Sequence, residues 1–285
     1  MKSGWLLTVS AMIVLVVSAP AHAVVLRHVP KTGEVHHYSV AATGVFAMKI
    51  GALDQTSRTE TGADLRFEHK ALSESDGIVR LQTDLLGGDT TTRRDDQVTS
   101  AKAPTGKFVV MVDRLGHLTK VQKVVVNGND LTGEMGPWTE LLSKWSQCCG
   151  FPDRDVKVGD TWTGTFTGSI PPGGLKTKVA IKSQLLDLAE YMGRRCARIR
   201  TTFDGPLESG AESLGPFGNV EATTGRVQGD LIWQYDWENS VLVAGEGSGS
   251  MEESRLLEGI LGPGMPDRTV VSTKEQVKLR IALDQ

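Results

Sequence analysis

The stretch YSVAATGVFAMKI, residues 38–50, decides how this chain folds. Tyr38, Val40, Ala42, Phe46, Met48 and Ile50 fall on even positions, while His37, Ser39, Thr43 and Lys49 occupy odd ones. Side chains on a strand alternate between two faces, so an apolar period of two marks a half-buried strand with one wet face. The pattern recurs downstream. Ala63, Leu65 and Phe67 alternate with Asp64, Arg66 and Glu68, and Val79, Leu81 and Leu85 alternate with Arg80, Gln82 and Asp84. Glycines and polar clusters punctuate these runs at short intervals, which fits antiparallel hairpins better than helical crossovers.

One segment breaks the period. Leu131, Met135, Trp138, Leu142, Trp145 and Cys149 are spaced by three or four residues, the spacing of one face of an amphipathic helix. Asp130 is placed to cap its start, Glu134 suits its first turn, and Gly150 with Pro152 ends it. The spacing predicts a helix over 131–150. Gly133 and Gly136-Pro137 weaken its start, so the firm part begins near Pro137.

Beyond the helix the strand pattern returns and echoes the first half. Thr32–His36 lies over Val158–Trp162, Gly77–Leu85 over Arg195–Phe203, and Lys107–Asp113 over Asp230–Asp236, in order and at a nearly constant offset. Three ordered matches predict a tandem duplication. The expected architecture is mainly β: an antiparallel meander of two tandem repeats, 24–130 and 151–285. They form one structural unit, a strongly curved sheet or half-barrel, with the 131–150 helix between them and lying in its mouth. Two packed sheets are the other arrangement that buries such faces.

The first residues read as a targeting signal. Lys2 precedes an apolar run from Trp5 to Ala19, and Ala21-His22-Ala23 has the small-residue pattern of a cleavage site. Residues 1–23 are therefore expected to be removed and the chain exported, to the periplasm or beyond, with no integral membrane segment after cleavage. Export makes disulfides admissible. The chain has three cysteines, Cys148, Cys149 and Cys196, without a C-x-x-C pair. Cys149 lies on the helical stripe and Cys196 opens a core strand, so a bridge from Cys149 to Cys196 is expected, with Cys148 the alternative partner.

Composition excludes several classes. The 285 residues hold 32 Gly but only 11 Pro, which sets aside collagen-like and Pro-rich disordered chains. The net charge of −3 lacks the basic excess of nucleic-acid binders. Catalytic motifs do not survive inspection. Ala211–Gly215 lacks the first Gly of a nucleophile elbow, and Pro206 and Pro216 bracket it as a loop. His36 and His37 point to opposite faces of a strand and cannot chelate one ion together. Asn127–Asp130 lacks calcium-loop spacing and reads as a turn. No phosphate loop or H-E-x-x-H motif is present. Neither a cofactor nor a metal is expected, and no catalytic residue is assigned.

Phe151-Pro152-Asp153-Arg154-Asp155-Val156-Lys157-Val158-Gly159-Asp160-Thr161-Trp162 resembles the F-P-x-x-x-V-x-V-G-D-x-W motif of a family of secreted bacterial β-rich proteins of unknown function. The resemblance implies two β-rich halves flanking the motif and carries no catalytic residue across. On its own chemistry the motif reads as strand entry: Pro152 stops the helix, Gly159-Asp160 turns, and Trp162 enters the core. More distantly, a long-stranded meander with a helix is similar to the periplasmic lipoprotein-carrier superfamily, whose half-barrels hold acyl chains. That likeness concerns the fold.

The function expected from these readings is non-enzymatic. An exported envelope protein would hold a lipid or acyl chain against Met135, Trp138, Leu142, Trp145, Trp162, Phe166, Trp233 and Trp237. The alternative is a structural or protein-interaction module with a filled core and no ligand.

Overall fold

The structure is a computed structural model that describes residues 23–51, 55–135, 143–144, 146–147, 149–170, 175–209, 212–213, 219–258 and 268–284. Its first half supplies β1 (Val35–Ile50), β2 (Gln55–Ser75), β3 (Ile78–Arg94), β4 (Gln97–Lys102), β5 (Gly106–Asp113), β6 (Leu118–Val126) and β7 (Asn129–Asp130). Its second half supplies β8 (Thr161–Ile170), β9 (Leu175–Tyr191), β10 (Arg194–Ser209), β11 (Glu212–Ser213), β12 (Asn219–Asp236), β13 (Val241–Glu258) and β14 (Arg268–Leu283). All fourteen belong to one antiparallel sheet, in the order β7-β6-β5-β3-β2-β1-β14-β13-β12-β10-β9-β8, with β4 on β3 and β11 on β12. The first and last strands do not pair with each other, so the sheet is open among the described residues. Each half is a meander, and the two join where β1 pairs with β14 from Tyr38↔Leu283 to Ile50↔Val271.

Tight turns set the hairpin register. Asp76 and Gly77 both have positive φ (52° and 74°) between β2 and β3, and Met192 and Gly193 repeat the geometry (51° and 73°) between β9 and β10. Two consecutive left-handed residues match the twist of the flanking strands, and glycine takes that conformation at little cost. The matched stretches Gly77–Leu85 and Arg195–Phe203 enter β3 and β10, and Lys107–Asp113 and Asp230–Asp236 lie on β5 and β12. The first half ends on the two-residue β7 and the second on the sixteen-residue β14.

The sheet curls strongly. β5 and β9 stand far apart in strand order, yet Val112 of β5 and Ser183 of β9 line the same cavity. The inner face carries the cores. Leu26, Val156, Leu185, Ala197, Ile199 and Tyr235 form one cluster, Ala71, Val79, Leu81, Val112 and Leu118 a second, and Phe166, Val179 and Ile181 a third. The outer face carries cross-strand ion pairs such as Arg200–Asp230, Arg226–Asp204 and Lys274–Glu252. Exposed pairs of this kind contribute little each, typically below about 1 kcal/mol.

The expected helix over 131–150 takes another form where it is described. The segment opens as a short 3-10 turn, Thr132–Met135, with Asp130 Oδ1 accepting from the Thr132 amide at 2.9 Å. Helical geometry is seen at Ser143, Lys144, Ser146, Gln147 and Cys149, and the Gly150 amide donates to Ser146 O at 2.8 Å. Ser143 and Ser146 tie this turn to Leu118: the Leu118 amide donates to Ser146 Oγ and Ser143 Oγ donates to Leu118 O, both at 2.8 Å. Trp138, Leu142, Trp145 and Cys148 lie outside the described residues, as does the side chain of Met135, so the apolar stripe is not seen.

The Cys149–Cys196 bridge is not formed; Cys196 carries a free thiol. Cys149 packs inside the curl, against the Phe166 cluster. Cys196 sits on the opposite strand phase from Ala197, Ile199 and Thr201, with Sγ 4.0 Å from Tyr191 O. It is nevertheless buried, and burial, with Asp236 adding to it, pushes its thiol pKa up to about 11.

Candidate functional site

The inner face of the second half is built by strand phase. Ile199 pairs with Trp233, Thr201 with Leu231 and Ala197 with Tyr235 across β10 and β12. Trp233 in turn pairs with Gly245, Leu231 with Gly247, and Gly229 with Gly249 across β12 and β13. Glycine on the inward phase makes room. A Cβ on Gly245 would lie 2.9 Å from both the Trp233 ring and the Ile281 side chain, and one on Gly247 would lie 2.3 Å from Leu231. Large side chains of β12 therefore spread across β13 instead of standing up and filling the curl.

The result is a cavity of about 440 Å³. Its walls include Phe151, Trp162, Leu231, Trp233 and Leu242, with Val112 and Leu115 closing it from the first half. Polar groups at the wall are already engaged. Ser183 and Thr201 share a hydrogen bond of 2.9 Å, and Trp162 Nε1 donates to Gly150 O at 3.1 Å.

The N-terminal segment reaches the cavity at His28 and packs behind its wall. Val24 and Val156 exchange two backbone hydrogen bonds at 2.8 and 2.9 Å, and the His28 amide donates to Arg114 O at 2.7 Å. Arg27 O accepts from the hydroxyls of Tyr235 and Ser240. Leu26, fully buried, packs between these anchors.

The residues expected to meet a ligand divide accordingly. Trp162 and Trp233 line the cavity. Phe166 is buried in the core with Val179 and Ile181. Trp237 follows the end of β12, packs on the Leu26 cluster, and has the Arg195 guanidinium 5.3 Å over its ring. Among the residues the sequence reading missed, the inward glycines did leave a signal: Gly245-Glu246-Gly247-Ser248-Gly249 alternates with period two, with glycine where an apolar residue would stand.

The F-P-x-x-x-V-x-V-G-D-x-W segment supports one wall and the N-terminal segment behind it. Phe151 lies 4.8 Å from the Tyr235 ring, Val156 is fully buried, and Gly159 turns at φ 92°. Asp160 Oδ2 accepts from Arg154 at 2.9 Å and from the Lys157 amide at 3.1 Å. These contacts are those of strand entry and anchoring.

Histidines gather beside the cavity. His28 lines it, with Nδ1 3.5 Å from the Tyr235 hydroxyl, and His69 Nδ1 lies 2.9 Å from Thr83 Oγ1. Burial, reinforced by neighbouring imidazoles, holds the pKa of both at about 4. They do not form a ligand set: among the described residues no three His, Cys, Asp or Glu side chains are placed to share a metal ion.

No protein-family model matches the chain, and no curated protein sequence is similar to it. Among solved structures it is similar to the crystal structure of Pseudomonas aeruginosa OccK7 (OpdD). The identity is 8% and the TM-score 0.26, over 89% of this chain and 100% of that one. A likeness of that score carries no argument about fold or function. Among the described residues no helix is long and apolar enough to cross a membrane.

Proposed function

We propose that this protein is an exported, non-enzymatic binder of an apolar ligand, a lipid or acyl chain held on the inner face of its curled sheet. The observation that carries the reading is the cavity of about 440 Å³ walled by Trp162, Leu231, Trp233, Leu242 and Phe151. Its size falls within the roughly 300–1,000 Å³ usual for small-molecule sites. A structural module needs no such space, because close-packed interiors leave few voids larger than a water. The test is titration with cis-parinaric acid, read by quenching of the tryptophans. Saturable quenching, reversed by palmitate and weakened about tenfold or more in Trp233→Ala, is expected. Quenching that never saturates would leave the structural-module reading in its place.

Export rests on the tripartite start and on Val24, the residue after the expected cleavage point, being engaged in the fold through Val156. Intact mass of the exported protein should correspond to a chain beginning at Val24; a mature chain retaining Met1 would overturn this. The duplication is proposed on the ordered matches, which fall on β3 and β10 and on β5 and β12, and the family on the F-P-x-x-x-V-x-V-G-D-x-W motif alone.

A further inference from the structure

One wall of the apolar cavity carries two hydroxyls. Trp162, Ser183, Thr201 and Leu231 form a row across β8, β9, β10 and β12, each paired with the next. The rows on either side of the hydroxyls are apolar: Ile181 and Phe203 stand on one, Leu185 and Ile199 on the other. Ser183 and Thr201 are 1% and 5% exposed, and both line the cavity.

Between them the two hydroxyls have one hydrogen too many. Each has a single hydrogen to donate. Ser183 Oγ and Thr201 Oγ1 lie 2.9 Å apart, so one donates to the other. That bond uses one hydrogen and leaves the second. Among the described residues neither hydroxyl has another partner. A buried donor normally finds an acceptor, and whatever covers it without supplying one binds the more weakly. The acceptor therefore belongs to what fills the cavity. The rest of the lining fixes the charge of that group. Among the described residues that line the cavity, none is Asp, Glu, Lys or Arg. His28 is neutral at pH 7, because burial holds its pKa at about 4. An ionised carboxylate drawn inside would meet no countercharge, and burying an unpaired charge costs far more than burying a carbonyl.

We propose that the Ser183–Thr201 pair donates a hydrogen bond to a neutral carbonyl of the ligand, so that the cavity selects an ester or ketone carried on an alkyl chain. This deepens the reading of the cavity as an apolar-ligand site and rests on it. A free fatty acid enters by its tail alone and leaves its carboxylate outside, where its oxygens do not reach the pair. An ester carbonyl carries no charge and is drawn in with the chain. The occupant that completes the wall is an ester-linked acyl chain, not the free acid.

The experiment measures affinities of 2-undecanone, 1-undecene and undecanoate, which share one chain length, by displacement of cis-parinaric acid at pH 7. A wall without a donor would hold the alkene tightest, because the ketone gives up hydrogen bonds to water on entry. The wild-type chain is expected to hold 2-undecanone at least as tightly as 1-undecene, and undecanoate more weakly than the ketone. Tighter binding of the alkene, or undecanoate binding as well as the ketone, would overturn the carbonyl site while leaving the apolar site standing, and neither outcome depends on a variant. In the double variant Ser183→Ala, Thr201→Val, checked for native far-ultraviolet circular dichroism, the ratio of ketone to alkene affinity is expected to fall about tenfold, the effect of one hydrogen bond. Both hydroxyls have to go, since either alone keeps a hydrogen for the ligand. A ratio that does not fall would also overturn the proposal. Failure of cis-parinaric acid to bind would remove the apolar site and this proposal together.

Discussion

Lowering the pH from 7 to 4 is expected to take on the order of 4–6 kcal/mol from the stability of this fold through two histidines alone. His28 and His69 carry the effect. Both have a folded-state pKa of about 4 against 6.5 for an ordinary imidazole, because burial penalises the charged ring. The folded state thus binds fewer protons than the unfolded one between pH 6.5 and 4. Stability contributed by these neutral rings is complete above 6.5, falls as the pH drops, and levels off near 4. A shift of this size amounts to on the order of 2–3 kcal/mol per ring once the water reaching each half-buried ring is allowed for.

The surroundings work in the same direction on balance. His28 faces His69, which opposes its protonation, and Asp113, which favours it less strongly than burial disfavours it. His69 faces His36, another imidazole, whose own pKa is lowered by burial against the pull of Glu34. The carboxylates of Asp113, Asp160, Asp204 and Asp236 are held below their usual range, so their contribution starts to be lost as the pH falls into the ordinary carboxylate range and adds to the slope at the acid end. Urea unfolding at half-unit steps from pH 7.5 to 3.5 checks this. The free energy should slope downward between 6.5 and 4, and His69→Gln should flatten about half of that slope. A flat profile through this window would show that the imidazoles are not buried neutral.

The sheet itself was legible because its first strand obeys the period of two so closely. Tyr38 and the residues at every second position after it turn toward the inside of the curl, and the pairing of β1 with β2 and with β14 keeps that phase. Strands β13 and β14 were not legible in the same way. On β13 the inward residues from Gly245 to Gly249 are glycines, which give no apolar signal. On β14 the inward set includes Thr269, Thr273 and Glu275, so the buried face looks wet. Polar residues on an inward phase are what a period-two reading discounts. The disulfide failed for a related reason. Helical spacing placed Cys149 inside correctly, but Cys196 belongs to the phase of Arg198 and Arg200, and its burial comes from neighbours that the strand pattern does not reveal.

Val24–Pro30 left the least trace in the sequence, and Leu26 within it carries the second large effect. Truncating Leu26 to Ala is expected to cost about 2–5 kcal/mol, as deletion of a fully buried leucine usually does. The open sheet explains why so short a segment matters. Ladder pairing runs from β7 to β8 and stops, so nothing in the β-ladder itself joins the two ends. The N-terminal segment makes that connection. His28 holds the β5–β6 turn through Arg114 O, Val24 holds Val156 ahead of β8, and Arg27 O takes the hydroxyls of Tyr235 and Ser240 at the β12–β13 turn. Leu26 is the apolar peg among these hydrogen bonds, and it touches Ile199 and Tyr235, which line the cavity from the other side. A void at Leu26 therefore opens beneath an existing cavity, where the neighbours have little reason to collapse into it, which places the cost toward the upper end of the range. Leu26→Met conserves volume and should cost less than about 1.5 kcal/mol. Denaturant unfolding of the two variants makes the comparison directly. A Leu26→Ala chain within about 0.5 kcal/mol of wild type would behave as a surface substitution, and the two ends of the sheet would then have to be held together by something other than this segment.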